Sequence, residues 1–134
     1  MRRRLRWTRH QIRARYPLWN ALADLWLDTW YDEAQLQRLG ERIHAMGYHP
    51  EEVWRIALYE VAPAVRANLW SVAGEWAGFD ARWLRRRIVS RSPDPLAYLG
   101  QPSMWQRWQA WHTARYLRKA GWGVVARALR PRQD

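Results

Sequence analysis

The stretch Asp32-Glu33-Ala34-Gln35-Leu36-Gln37-Arg38-Leu39-Gly40-Glu41-Arg42-Ile43-His44-Ala45-Met46-Gly47 decides the fold class. Asp32 followed three residues later by Gln35 is a capping box, in which each side chain satisfies a backbone N–H of the other at a helix start. Leu36, Leu39, Ile43 and Met46 then recur at steps of three and four, which lines one face of a helix and no face of a strand. Gly47 supplies the stop, because glycine enters the left-handed region at little cost. A start, an apolar face and an end are all written locally.

The same signals recur on either side. Pro17 is suited to a first helical position, and Leu18, Leu22, Leu25 and Trp26 follow at helical spacing opposite Asp24 and Asp28, which predicts a helix over 17–29. Pro50, Glu51 and Glu52 place a proline and two carboxylates in a first turn, ahead of an apolar face of Val53, Trp54, Ala57, Leu58 and Val61. Pro63 is expected to end or kink that helix, with a short fourth helix over 63–72. Asp80 is placed to cap a fifth helix with Trp83, Leu84 and Ile88 on one side and Arg82, Arg85 and Arg86 on the others. Ser92-Pro93-Asp94-Pro95 is a breaker, and Ser103 with Gln106 forms a second capping box that opens a long helix to Gly121. Trp122 to Leu129 adds a turn or two. No run alternates apolar and polar positions as a strand requires, so the expected fold is all-α, a single compact bundle of five to seven helices. The chain divides into a basic arm over 1–15 and one helical domain over 16–134, with 103–130 as its tryptophan-rich C-terminal helical segment.

A chain of 134 residues with no cysteine has room for a real core, and it excludes thiol catalysis, zinc–thiolate sites, iron–sulfur clusters and disulfides. The formal charge of +11 is a difference between opposed blocks. Residues 1–15 carry +7, residues 16–81 carry −6, and residues 82–134 carry +10. Such asymmetry speaks to partners and solubility and leaves the fold undetermined. The twelve tryptophans are too many for so small a core, since each indole covers up to ~250 Å² and brings an N–H that needs a partner. Several are expected at a surface. The first residues have positive charge but no apolar stretch behind it, and no apolar run approaches the ~18–20 residues of a membrane span, so a cytoplasmic location is expected.

The run Leu58-Tyr59-Glu60-Val61-Ala62-Pro63, then Asn68-Leu69, Ser71-Val72-Ala73-Gly74-Glu75-Trp76-Ala77-Gly78-Phe79-Asp80 and Trp83-Leu84, resembles an uncharacterised family of small bacterial helical proteins. The Leu25-Trp26-Leu27-Asp28-Thr29 run is similar too, and the resemblance spans about 17–90. It implies a stand-alone helical protein whose signature positions are Glu60, Arg66, Asn68, Glu75, Trp76 and Asp80. Small helical proteins of this kind resemble immunity or antitoxin partners in toxin systems, an analogy of fold rather than of site.

Glu60, Glu75 and Asp80 invite a reading as paired catalytic acids, but Asp80 already serves as a helix cap, and Glu75 between glycines suits a bond to loop backbone or a pair with Arg66. His10, His44, His49 and His112 match no metal-ligand spacing. No nucleophile elbow, phosphate loop or dinucleotide fingerprint occurs. No catalytic residue, metal or cofactor is therefore expected.

More informative is Met104-Trp105-Gln106-Arg107-Trp108-Gln109-Ala110-Trp111-His112-Thr113-Ala114-Arg115-Tyr116. On a helix, Trp105, Trp108, Trp111, Arg115 and Tyr116 share one broad stripe, with Arg115 near its centre and within reach of an indole face. The stripe either packs on the domain or forms an interface, for which tryptophan, tyrosine and arginine are the usual anchors. The leading expectation is a non-enzymatic module that blocks one bacterial protein partner, a toxin or effector. The alternative is a basic nucleic-acid-binding accessory protein using Arg2, Arg3, Arg4 and Arg6 of the arm with Arg82, Arg85 and Arg86. The break at 92–102 also leaves the last helix free to swap between protomers of a homodimer.

Overall fold

A computed structural model describes residues 7–26, 32–69, 81–91 and 103–130 of the chain. Among the described residues every regular element is helical. In order they are α1 (Arg9–Ala23) with a 3₁₀ turn at Asp24–Trp26, α2 (Glu33–His44), α3 (Pro50–Ile56), a π-turn (Ala57–Val61), α4 (Ala62–Leu69), α5 (Ala81–Arg91), α6 (Met104–Lys119) and α7 (Trp122–Leu129). The chain runs through α3, the π-turn and α4 without interruption, so the described residues of the all-α bundle form six rods.

Local chemistry explains most of the boundaries. The Asp32–Gln35 box forms as expected, with Gln35 N donating to Asp32 Oδ1 at 2.8 Å and Asp32 N to Gln35 Oε1 at 2.9 Å. Gly47 sits at φ +86°, the left-handed stop. The Ser103–Gln106 box also forms, at 2.9 and 3.2 Å. His49 caps α3, its Nδ1 accepting from Glu51 N at 3.2 Å.

Two boundaries differ from expectation. The first helix starts at Arg9 rather than Pro17, because Thr8 and Gln11 make a capping box of their own at 3.0 and 3.1 Å. Pro17 is therefore interior, where it cannot donate to the carbonyl of Arg13. Arg13 is exposed, so solvent can take that carbonyl. Half of the expected arm is thus helix. Pro63, in turn, does not end its rod. The helix widens ahead of it, with Ala62 N donating five residues back to Ala57 O. The expected cap Asp80 lies outside the described residues.

The core joins α1, α2, the α3–π–α4 rod, α5, α6 and α7 through Leu18, Trp19, Leu22, Ile43, Val53, Ile56, Val65, Leu84, Ile88, Leu117 and Val125, all at most 1% exposed. Its closest approach is α2 on α7. A Cβ on Gly40 would lie 2.5 Å from Ala128 Cβ and 2.8 Å from Val125 O, so only glycine lets these backbones meet. Trp7, Trp19, Trp26 and Trp122 are buried, with Trp7 edge-on to Trp19 at 5.2 Å and Trp122 against Trp54 at 4.9 Å.

Candidate interaction surface

Helix α6 buries its small side and exposes its large one. Ala110, Thr113 and Leu117 face the bundle, packing on the π-turn and α7. Met104 is 87% exposed, Trp105 63%, Trp108 53% and Trp111 55%. These and Tyr116 are the exposed large hydrophobic side chains among the described residues, so the apolar surface collects on one helix. The cause is written in the residue order. Positions 110, 113 and 117 make a narrow stripe that suffices to dock α6, and the indoles at 108 and 111 stand opposite it.

The exposed rings are ordered among themselves. Trp105 stacks on Trp108 with centroids 5.2 Å apart and planes within 19°. His112 meets Trp108 edge-on at 4.3 Å and Trp111 edge-on at 4.9 Å. The Arg115 guanidinium sits 4.9 Å from the Trp111 ring centroid, the cation–π contact that the spacing predicts. One ladder runs Trp105, Trp108, His112, Trp111, Arg115. Its rings contact one another in sequence, and the three indole N–H groups have no hydrogen-bond partner among the described residues. Such a pre-ordered cluster loses little side-chain entropy on meeting a partner.

Tyr116 departs from the stripe in which the sequence places it. Its hydroxyl donates to Leu25 O at 3.3 Å, and its ring stacks on Trp26 at 6.2 Å. It anchors α6 to the 3₁₀ turn and leaves the outer face to the tryptophans. Arg107, Arg118 and Lys119 are exposed on the same helix, and residues 103–130 contain no acid. The face is apolar with a cationic surround.

A second cluster lies inside. Glu60 is 2% exposed and sits in the π-turn, on the stripe of Val53, Ala57, Val61 and Ala64. Arg15 Nη1 donates to its Oε2 at 2.6 Å, and Trp19 Nε1 donates to its Oε1 at 2.9 Å. Arg15 also lies over the Trp7 ring at 5.3 Å. Burial pushes the Glu60 carboxyl up to about 7, against the opposing pull of Arg15 and Trp19. Both carboxylate oxygens are engaged in holding α1 to the π-turn, and this is the work the geometry assigns to Glu60. A charged residue on an apolar helical stripe is a signal the sequence did contain. Its partners, 45 and 41 residues away, have no local signature.

Of the remaining expected residues, Arg82, Arg85 and Arg86 are exposed on α5, which packs on α1, α4 and the π-turn. The α5 arginines and the α6 indoles therefore stand on different helices, both of which pack on the π-turn. Arg66 and Asn68 lie on α4. Arg2, Arg3, Arg4, Arg6, Glu75, Trp76 and Asp80 lie outside the described residues. No group of three metal-ligating side chains occurs among the described residues, and no helix there is long and apolar enough to cross a membrane.

Comparison with known proteins gives a family without an activity. A family model described as "Domain of unknown function (DUF7079)" matches residues 13–128. No curated protein and no solved structure matches the chain.

Proposed function

The chain belongs to the DUF7079 family, and from its own residues we propose that it is a non-enzymatic protein-binding module that uses the outer face of α6 as its contact surface. The observation that carries this reading is the ladder of three half-exposed indoles with Arg115 beside them. Tryptophan and arginine are the side chains that most often dominate binding energy. Met104, Trp108, Trp111 and Arg115 stand at intervals of four, three and four, the spacing with which a helix enters a partner's groove.

More finely, the reading is of an immunity or antitoxin type, a rigid helical body that occupies the working surface of one bacterial toxin or effector in the cytoplasm. A basic α6 favours a target whose groove is rimmed by acids over a second copy of this chain, because two such faces would repel. The chemistry of Glu60 supports the non-enzymatic part, since its oxygens are occupied by Arg15 and Trp19.

Co-expression with the product of the adjacent gene tests the proposal. A one-to-one complex and restored growth are expected, both lost in Trp108→Ala with Trp111→Ala. Growth arrest that co-expression leaves unchanged, with two separate peaks on size exclusion, overturns it.

A further inference from the structure

A second surface is built from α1 and α5. Helices α1 and α5 pack together, and neither contains a single acidic residue. The Arg85 guanidinium lies 5.9 Å from the centroid of the Tyr16 ring, one contact between the two helices. Arg9 and Arg13 precede Tyr16 by seven and three residues, so they share its side of α1. On α5, Arg86 stands opposite the buried stripe of Leu84 and Ile88. Arg9, Arg13, Arg85 and Arg86 are all exposed, and none has a carboxylate partner among the described residues. Arg15, by contrast, is turned inward and bonded to Glu60.

Four guanidinium groups without a carboxylate partner among the described residues, on two adjoining helices, repel one another. An occupant with regularly spaced negative charge relieves that repulsion, and guanidinium matches phosphate oxygens in both charge and fork geometry. The exposed large rings of the described residues all lie on α6, and the half-buried Tyr16 ring of α1 is covered by Arg85 of α5. Among the described residues this face offers no exposed ring on which unpaired bases could stack, which favours a duplex backbone over a single strand. We infer that the α1–α5 face is a second binding site, one that takes the phosphate backbone of double-stranded nucleic acid without reading its sequence. It goes beyond the α6 contact and does not depend on it.

The test separates a site from diffuse positive charge. Binding of the full chain to a labelled random-sequence DNA duplex of about 20 base pairs is followed by anisotropy across a salt series. Each phosphate neutralised adds about 0.9 to the steepness of log K against log salt. Arg13→Gln with Arg85→Gln and Arg86→Gln is expected to reduce that steepness by about 2 to 3 and to weaken binding at every salt concentration. The control removes equal charge from α6, as Arg107→Gln with Arg118→Gln and Lys119→Gln, and is expected to change the steepness by less than about 1. Thermal melts confirm that both triple variants are folded. Equal losses from the two triples would overturn the inference, as would a wild-type curve flat in salt. So would binding to phosphatidylglycerol vesicles, lost with the same three arginines, in a chain that ignores the duplex. Trp108→Ala with Trp111→Ala is expected to bind duplex normally while losing any protein partner, so the two surfaces fail or succeed separately.

Discussion

Glu60 shows how a single residue can tie two distant segments together at a cost in stability. Its carboxyl is raised from an ordinary value near 4.5 to about 7, because desolvation outweighs Arg15 and Trp19. The folded chain therefore holds a proton that the unfolded chain has released between these two values. Stability linked to that proton is complete below about pH 4.5 and is lost as pH rises through about 7. We expect the unfolding free energy to fall by about 3 kcal/mol from this group between pH 5 and 8. Urea titrations at a series of pH values measure the slope, and Glu60→Gln, which cannot titrate, should flatten it. A wild-type curve that is already flat would mean that Arg15 keeps Glu60 ionised throughout. At Gly121, φ is +104° and an added Cβ would run into Leu36 Cδ1, so Gly121→Ala is expected to lower stability by more than about 1 kcal/mol in a thermal melt.

Elements in this chain are delimited by their own caps. Thr8, Asp32, His49 and Ser103 each close a box with the residue three positions on. Removing one box should cost about 1 kcal/mol, so Asp32→Ala is expected to melt a few degrees early by circular dichroism. The α2–α7 contact is more demanding, since the obstacle to a methyl group at Gly40 is partly backbone, Val125 O, which cannot rotate away. Gly40→Ala should therefore destabilise by about 1–3 kcal/mol, although alanine is the better helix former. A melt unchanged or raised by Gly40→Ala would show that the helices can move apart freely. The capping boxes of α2 and α6 were legible because capping chemistry spans only four residues. The start of α1 was hidden by Pro17, which has the credentials of a first helical position yet sits half way along. The π-turn was hidden because nothing in Ala57–Val61 distinguishes an i+5 bond from an i+4 bond; Pro63 signalled a disturbance but not its form.

At the scale of the whole molecule, tryptophan is divided between roles. Trp7, Trp19, Trp26 and Trp122 serve the core, while Trp105, Trp108 and Trp111 cover the outside of α6. Replacing two of the outer indoles, Trp108 and Trp111, by serine is expected to leave the melting temperature within about 0.5 kcal/mol equivalent of wild type. The same change should remove much of the tryptophan emission that iodide quenches. A large loss of stability would mean that the ladder holds the fold together. The charge pattern also divides between elements, with arginines on α1 and α5, which pack together, and the exposed indoles on α6.

Helix class, the α2 and α6 caps and the amphipathic stripe of α2 follow from the sequence alone, because each rests on residues within one or two turns of each other. The indole ladder was half legible: its spacing showed a stripe, and only packing chose between inside and outside. That choice depends on whether Ala110, Thr113 and Leu117 find partners in the π-turn and α7. The Arg15–Glu60–Trp19 cluster, the turning of Tyr116 toward Leu25 and the meeting of Arg85 with Tyr16 join residues 41 to 91 positions apart. Such contacts were decided by tertiary structure, since burial energy depends on what else reaches the same place, and periodicity carries no record of that.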